Sequence, residues 1–310
     1  MTHVYREQQK YHPLVALGYI IGPILIIASH LGIALLFFTG LSWQALLWAF
    51  VLYVPRAMGL TCIYHRLIIH KSFQSPSIVK WIGSFIASSA GQMGPNWWKG
   101  HHLEGHHQVS DGAGDSHSPN YPYTGAKGFW WSQGGWLLAR TFFPPSLPAD
   151  VEADPVLKAI DRLHFVPVLL LGLLSYYLGG LEFVGAFCLS TVLLYHGIAF
   201  VNSLTHLVGS QPFIAPDNSR NNWFVALVAL GEGWHNLHHA VQWSARHGYT
   251  IRDGKIVLLP DLTYWFIKLL EKFNLASNIK LPTDEYLLSK ANNRASITPR
   301  SLVELTSSHR

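Results

Sequence analysis

Charged side chains are scarce in this chain of 310 residues. Asp, Glu, Lys and Arg make up 13% of it, about half of the share that is usual in a soluble globular domain. A surface that faces water everywhere needs more charge, so the composition favours a protein with a lipid-facing surface. A hydrophobic content of 49%, with 12 Trp, 13 Tyr and 16 Phe, also excludes a disordered or collagen-like chain.

Cysteine is nearly absent as well. The two copies, Cys62 and Cys188, lie in apolar runs, where a small hydrophobic core residue is the usual interpretation. A disulfide scaffold is therefore excluded, and a zinc site closed by several cysteines has no candidates. The zinc-protease pattern HExxH does not occur either.

Long apolar runs are present instead, and they come in two pairs. A helix of about 20 apolar residues crosses a hydrocarbon core of about 30 Å. Within each pair, only a short link separates the two runs. We therefore predict an all-α membrane protein with four transmembrane helices in two hairpins, over residues 14–38, 43–63, 165–178 and 183–201.

The distribution of positive charge orients these helices. None of the 22 Lys and Arg residues lies in either link, at 39–42 and 179–182. Because Lys and Arg collect on the cytosolic side of membrane proteins, the links face outward and both termini face the cytosol. An N-terminal secretion signal is the alternative, but the first run is too long for one.

The remaining segments complete a single membrane-embedded domain, predicted over residues 1–282. The apolar segments 77–95 and 223–233 are too short to span, so we predict that they form interfacial or cap helices. Residues 283–310 are polar and aperiodic, and we expect a tail with little structure. Arg56 lies deep in the second run, where a charge is a functional candidate whose partner the sequence does not identify.

Histidine is the unusual residue, with 18 copies. Imidazole binds iron, zinc, copper and nickel, and it must be neutral to do so. Isolated pairs of histidines are common without a metal, but several groups on one side of a membrane indicate a metal centre. The groups are HRLIIH with His65 and His70, WWKGHHLEGHH with His101, His102, His106 and His107, and GEGWHNLHH with His235, His238 and His239.

The spacing within these groups predicts local structure. His235, His238 and His239 share one helix face and could enclose one metal centre. From His102, the next histidines follow at four and five residues, so His107 points about 140° away in a regular helix. Because a π-bulge absorbs one extra residue, we predict a bulge or helix break between His102 and His106.

Asn202 and His206 are four residues apart at the end of the last run. A ligand role is favoured over an interhelical hydrogen bond, although both are open. Carboxylates commonly orient ligating imidazoles, and the candidates are Asp111, Asp115 and Glu232. Each of these could instead be a helix cap or an ion-pair partner. Trp97 and Trp98 fit either a substrate passage or an interfacial aromatic belt.

The ordered motifs resemble a known family. HRLIIH, HH followed by SD and DSHSP, NSLTH, DNSRNNW, and GEGWHNLHH followed by ARHG are together similar to membrane fatty-acyl desaturases of the stearoyl-CoA Δ9 type, including bacterial members. The resemblance covers residues 12–281 and implies a four-span bundle, a cytosolic helical cap with a histidine-rich di-iron site, and an acyl tunnel. It also implies a bacterial inner membrane as the location.

By the same resemblance, nine histidines and one asparagine hold two iron ions. Asn202 would bind through water, and whether His101 or His102 is the first ligand of the middle group stays open. Gln133, and the pair Ile198 and Ala199, depart from the family pattern. The implied metal ligands are His65, His70, His102, His106, His107, His206, His235, His238 and His239.

The implied reaction is the O2-dependent introduction of a cis double bond, at position 9, into a saturated acyl chain. The substrate would be a fatty acyl thioester or an acyl lipid, in contact with membrane lipids. Electrons would come from an external carrier, either a ferredoxin or a b-type cytochrome system, and no nucleic-acid partner is predicted. Eight further histidines are predicted to be non-ligands, namely His3, His12, His30, His117, His164, His196, His247 and His309.

Three other interpretations compete with this one. A membrane di-iron hydroxylase of fatty acids or alkanes would use a similar histidine set, and only its product would differ. A ferritin-like site would use Glu-x-x-His pairs, but it needs Glu from two more helices. A metal-binding or transport protein would place its ligands near the bilayer midplane rather than at helix ends.

Overall fold

The structure is a computed structural model that describes residues 13–292. Helices dominate it, as predicted. The α-helices are α1 Pro13–Gly32, α2 Leu35–Thr39, α3 Trp43–Met58, α4 Ser77–Ser88, α5 Pro95–His102, α6 Gly125–Gln133, α7 Ala149–Glu152, α8 Pro155–Arg162, α9 Phe165–Asn202, α10 Trp223–Val228, α11 His235–Ala240, α12 Leu262–Lys272 and α13 Asp284–Ser289.

Other helix types extend or connect these elements. π-Helices cover Gly59–Ile69 and Leu103–His107, and 3₁₀ turns cover Gly135–Leu138, Arg140–Phe142 and Leu204–His206. The short apolar segments that we expected to be cap helices contain α4 and α10. His3, His12 and His309 lie outside the described residues.

Three helical stretches are long and apolar enough to cross a membrane: Pro13–Thr39, Trp43–Ile69 and Phe165–His206. The first two correspond to the two predicted runs of the first hairpin. Large apolar side chains on them face outward, for example Phe37 and Phe38, each 87% exposed. Such surfaces are favourable against lipid and unfavourable against water.

The third stretch contains the two predicted runs of the second hairpin, because the chain folds back within α9. A Cβ atom placed on Gly172 would lie 3.6 Å from the ring of Phe187, whereas residues 15 apart in a straight helix are separated by about 22 Å. The reversal occurs at Gly179 and Gly180, whose backbone angles are not helical. Whether each of the four segments crosses the bilayer stays a prediction.

Helix α3 packs against both arms of this hairpin. The indole of Trp48 donates to the hydroxyl of Ser175 over 3.0 Å and stacks on Phe183 of the other arm. Beside the turn of the second hairpin, the backbone N–H of Ser42 donates to the carboxylate of Glu182. These contacts hold the two hairpins in one bundle.

Arg56 finds its partners among neutral oxygens. It is 2% exposed and donates to the hydroxyls of Ser190 and Thr191 and to the carbonyls of Leu52 and Ser89. A buried guanidinium needs most of its donors satisfied. Arg56 therefore fixes α3 to the second arm of α9 and to the chain after α4.

One small sheet corrects the all-α prediction. Strands β1 Tyr249–Arg252 and β2 Lys255–Leu258 form an antiparallel hairpin. Asp253 and Gly254 connect them with positive φ angles of 49° and 69°. An Asp-Gly pair between alternating apolar residues favours this two-residue turn, so the sequence carried the signal that the helical interpretation passed over.

The expected tail is also more ordered than predicted at its start. Thr283 caps α13 by accepting a hydrogen bond from the N–H of Tyr286, and Leu287 is fully buried beside Phe213 and Leu237. The apolar Leu287 is therefore buried against the rest of the chain. The domain boundary at residue 282 stays a prediction, and residues 293–310 lie outside the described part.

The turn inside α9 gives a testable prediction. Gly180 has φ 62° and ψ −149°, a region that costs any residue with a Cβ atom about 1–3 kcal/mol. Gly180→Ala should lower the free energy of unfolding by this amount, measured by thermal unfolding in detergent. Gly172→Ala is the matched control, since the added Cβ would make only ordinary contacts at 3.6 Å. Equal stability of the two variants would contradict the turn.

Candidate metal centre

Two π-helical segments position the histidines that are five residues apart. In a π-helix the backbone hydrogen bonds join residues i and i+5, and the N–H of His70 indeed donates to the carbonyl of His65 over 3.1 Å. The same register brings the Nε2 atoms of His102 and His107 to 2.9 Å from each other. The predicted break between His102 and His106 is confirmed as the π-helix Leu103–His107.

The first histidine group consists of His65, His70, His102 and His238, whose ligand atoms all lie within 4.8 Å of one another. The closest Nε2 pair, between His70 and His102, is 2.8 Å apart. His107 joins the group, because its Nε2 atom lies 2.9 Å from that of His238. The Nε2 atoms of five imidazoles thus point into one space.

The second histidine group consists of His106, His206, His235 and His239, also within 4.8 Å of one another. All four side chains are buried. The two groups adjoin, since the rings of His107 and His239 are 4.5 Å apart between centroids.

The last motif therefore serves both groups rather than one centre, which corrects the prediction from spacing. His238 belongs to the first group, while His235 and His239 belong to the second. Positions i+3 and i+4 of a helix differ by about 100° around its axis. This angle is large enough to direct the two side chains into different groups.

His206 also departs in detail from its prediction. Helix α9 ends at Asn202, and His206 lies in the 3₁₀ turn that follows. Asn202 still lines the same cavity as His102.

His101 lies apart from both histidine groups. Its Nε2 atom donates to the carbonyl of Phe142 over 2.9 Å, and its Nδ1 atom lies 3.3 Å from the hydroxyl of Ser116. Both ring nitrogens are thus engaged elsewhere, while His102 lies in the first group. The geometry favours His102 as the candidate ligand of the middle motif.

Carboxylates hold the outer nitrogens of four imidazoles. Asp115 accepts from Nδ1 of His106 and Asp111 from Nδ1 of His206, both over 3.0 Å. Glu232 lies 2.8 Å from Nδ1 of His65, and Asp217 bonds Nδ1 of His239. A proton fixed on Nδ1 leaves the Nε2 lone pair free for a metal. The contacts predicted for Asp111, Asp115 and Glu232 are confirmed.

The local electrostatics keep the inner imidazoles neutral and the surrounding carboxylates ionised. Burial, reinforced by neighbouring imidazoles, moves the pKa of His70, His102 and His107 well below its ordinary value. Burial alone would raise the pKa of Glu232, but Arg66 and then His65 lower it well below the usual range. Neutral imidazoles surrounded by ionised carboxylates are what a metal cation requires.

Arg66 holds the carboxylate of Glu232 in place. Its side chain is fully buried and lies 3.0 Å from both Glu232 and Asp261. A single guanidinium between two buried carboxylates leaves one negative charge in excess, which a bound cation would compensate.

The residues present fit a pair of metal ions. Nitrogen ligands at about 2.0–2.1 Å from one ion lie roughly 3 Å from each other, and the Nε2 contacts in the first group have this separation. Nitrogen-only donor sets suit iron, copper, nickel and zinc. Two adjoining groups offer enough donors for two ions.

A narrow apolar cavity reaches the first histidine group. Trp97, Trp98, Trp136 and Phe142 line it, with His102 and Asn202 at the metal-binding side. Ile198 and Ala199, which depart from the family pattern, line it as well. None of its lining residues is Lys, Arg, Asp or Glu, so it suits an alkyl chain.

Asp217 is the functional candidate that sequence reasoning missed. It lies in DNSRNNW, a motif noted only for its resemblance, and no helical register links it to His239. Two predicted non-ligands also approach the histidine groups. The ring of His117 stacks on His106 at 4.9 Å, and the ring of His247 lies 4.6 Å from that of His238.

Comparisons with known proteins agree with this geometry. The family model described as "Fatty acid desaturase" matches residues 11–249. The sn-1 stearoyl-lipid 9-desaturase of Anabaena variabilis is 38% identical over 271 residues, covering 84% of this chain and 93% of the relative. The enzyme of the same name from Synechocystis is 38% identical over 256 residues, covering 81% and 76%. The acyl-CoA 5-desaturase AL21 of Anemone leveillei is 36% identical, covering 78% and 74%.

Asp217 provides a test of the metal centre. Asp217→Asn should weaken divalent transition-metal binding about 10–100-fold, because the neutral amide no longer fixes the His239 ring as strongly. Metal titration of the purified protein measures this. Asp253→Asn, in the exposed turn between β1 and β2, is the matched control and should bind metal like the wild type. Unchanged affinity in Asp217→Asn would show that the contact does not orient a ligand.

Proposed function

The chain belongs to the fatty acid desaturase family and acts as a fatty acyl desaturase, and from this premise we propose its cofactor, substrate and reaction. Two iron ions are held by nine histidines, with Asn202 contributing through water. The observation that carries the proposal is the convergence of Nε2 atoms beside an apolar cavity. The proposed ligands are His65, His70, His102, His106, His107, His206, His235, His238 and His239.

The balance of electrons requires a second protein. Reducing O2 to two waters takes four electrons and four protons, and removing two hydrogens from the acyl chain provides two of each. The other two electrons must arrive from outside, and a ferredoxin or b-type cytochrome system would supply them. Bound iron supplies the chemistry for O2 reduction and for attack on unactivated C–H bonds, which acid–base groups cannot achieve.

The protein's own residues contribute ligand orientation and substrate position. The carboxylates of Asp111, Asp115 and Asp217 keep protons on Nδ1, so that Nε2 stays directed inward. The walls of Trp97, Trp136 and Phe142 exclude water and confine an alkyl chain beside His102. Restricting the chain to one register is what makes a single bond position accessible.

The proposed substrate is an acyl lipid. The cavity lining contains no Lys or Arg, which suits the uncharged alkyl chain that acyl lipids and acyl thioesters share. Two relatives are named as stearoyl-lipid 9-desaturases, and we propose the same substrate class and bond position here.

For the topology, we propose four spans with both termini in the cytosol, in a bacterial inner membrane. The turn at Gly180 supports two separate segments within α9. The candidate ligands lie at the ends of the apolar stretches rather than at their centres, which disfavours a transport site. The helices outside the three apolar stretches would then form a cap on the cytosolic side.

Product analysis tests the proposed reaction directly. Cells without their own desaturase should gain monounsaturated C18 chains in membrane lipids when they express this chain, with the double bond at position 9 in gas chromatography–mass spectrometry. The purified protein should contain about two iron ions per chain, given two sets of four or more donors. Hydroxylated chains would indicate the hydroxylase alternative, and zinc with unchanged lipids would overturn the proposal.

The open assignment in the middle motif has its own test. His102→Gln should lose iron and at least about 100-fold of the activity, since an amide replaces an imidazole ligand. His101→Gln is matched in chemistry and retains a donor for the carbonyl of Phe142, so it should keep both ions. Iron analysis and turnover measurements decide between them, and the reverse pattern would assign the ligand role to His101.

A further inference from the structure

One histidine outside both histidine groups is completely buried beside them. His247 lies between α11 and β1, in the segment ARHG, and its side chain is 0% exposed. Its ring lies 4.6 Å from that of His238 and 5.6 Å from that of His65, between centroids. The resemblance assigns it no role, and it is not among the proposed ligands.

The backbone around His247 is held by an ion pair. The N–H of His247 donates to the carboxylate of Asp261 over 2.7 Å, and Arg66 donates to the carbonyl of Ala245 over 2.8 Å. Arg66 and Asp261 lie 3.0 Å from each other. The position of His247 is therefore fixed on both sides of the residue.

The side chain of His247 faces Glu232. Oε2 of Glu232 lies 3.3 Å from Nδ1 of His247 and 2.8 Å from Nδ1 of His65, while Oε1 accepts from Arg66 over 3.0 Å. Because Nδ1 is the ring nitrogen that faces the carboxylate, the proton of His247 belongs on that nitrogen. The carboxylate of Glu232 thus lies between one guanidinium and two imidazoles, and each of them restricts its orientation.

Packing alone does not explain a histidine at position 247. Neither ring nitrogen makes a regular hydrogen bond within residues 13–292, although Nδ1 lies within ion-pair distance of Glu232. A buried polar atom without a hydrogen bond costs about 1–3 kcal/mol. An apolar ring of similar size would avoid this cost, so the contact with Glu232 is the property that distinguishes His247 from a phenylalanine.

The first histidine group has less support from carboxylates than the second. Three aspartates engage Nδ1 atoms in the second group. In the first group, His65 alone contacts a carboxylate among the described residues, and Nδ1 of His238 has no hydrogen-bond partner there. The orientation of His238 therefore depends on packing. The ring of His247, inclined by 34° to that of His238, provides a contact of this kind.

We propose that His247 is a positioning residue of the metal centre. The attraction between its Nδ1–H and Oε2 of Glu232 holds that oxygen against Nδ1 of His65, and its ring fixes the plane of His238. Both Nε2 atoms then stay directed toward the ion that the first group binds. The inference rests on the proposed function, since it assumes that the first group binds iron. It deepens that proposal by assigning the support of two ligands to one side chain outside the ligand set.

Three substitutions of His247 separate the two contributions. His247→Asn retains an N–H donor near the position of Nδ1 but removes the ring, whereas His247→Phe retains a flat ring but removes the donor. His247→Ala removes both. His164→Ala is the matched control, because His164 is also buried, at 1% exposure, and donates to the carbonyl of Asp161 outside both histidine groups.

Iron affinity is measured on the purified full-length protein by competition with a chelator, and the environment of each ion by Mössbauer spectroscopy. In His247→Ala, the affinity for one of the two ions should fall about 10–100-fold, and one quadrupole doublet should shift or broaden. His247→Asn and His247→Phe should each recover part of this loss and still bind more weakly than the wild type, because each keeps one contact. His164→Ala should bind both ions like the wild type.

A merely structural role of His247 would lower the melting temperature without changing the spectrum. Wild-type affinity and spectra in both His247→Asn and His247→Phe would overturn the inference, even where His247→Ala does not fold. An equal loss in all three variants would also overturn it, since this would indicate that Nε2 of His247 is itself a ligand. A wild type that binds no iron would instead overturn the proposed function.

Discussion

The architecture depends on one constraint, the convergence of neutral imidazole nitrogens in a buried space. At four of these imidazoles a carboxylate bound to Nδ1 directs the Nε2 atom inward, as at His106 with Asp115 and at His206 with Asp111. Packing many imidazoles together has no stabilising value by itself, since their lone pairs repel and their burial costs hydration. The binding of metal cations supplies the free energy that offsets these costs.

Both the helical bundle and the loops that pack on it hold the imidazoles in this arrangement. Arg66 forms ion pairs with both Glu232 and Asp261. The π-helix Gly59–Ile69 positions His65 in the first histidine group, and His70 follows at the end of this helix. Asp111 and Asp115 come from the loop after the π-helix Leu103–His107, and Asp111 bonds His206 at the end of the third apolar stretch. The centre therefore forms only when the hairpins and the loops are assembled together, which couples metal binding to the whole fold.

The same assembly produces a gradient of polarity that suits an alkyl substrate. The cavity has aromatic walls and reaches the imidazoles, and its lining residues carry no carboxylate, Lys or Arg. In a separate groove beside the cavity, the polar groups of Gln133 and His196 satisfy one another. A chain without acidic hydrogens can be held in such a path only by shape, so the position of its polar end determines which carbons reach the metal.

Local chemistry allowed the sequence by itself to determine the apolar stretches, the break beside His102 and the histidine motifs. It also indicated Asp111, Asp115 and Glu232 as candidates to orient imidazoles. Hydropathy, residue spacing and ligand preference act over a few residues, so they can be read without coordinates. The sequence did not determine that His238 and His239 serve different groups, that Asp217 holds His239, or that the β1–β2 hairpin and α13 pack on the domain. Only the tertiary structure decided these, because each depends on where distant segments meet, and helical spacing contains no information about the segment on the other side.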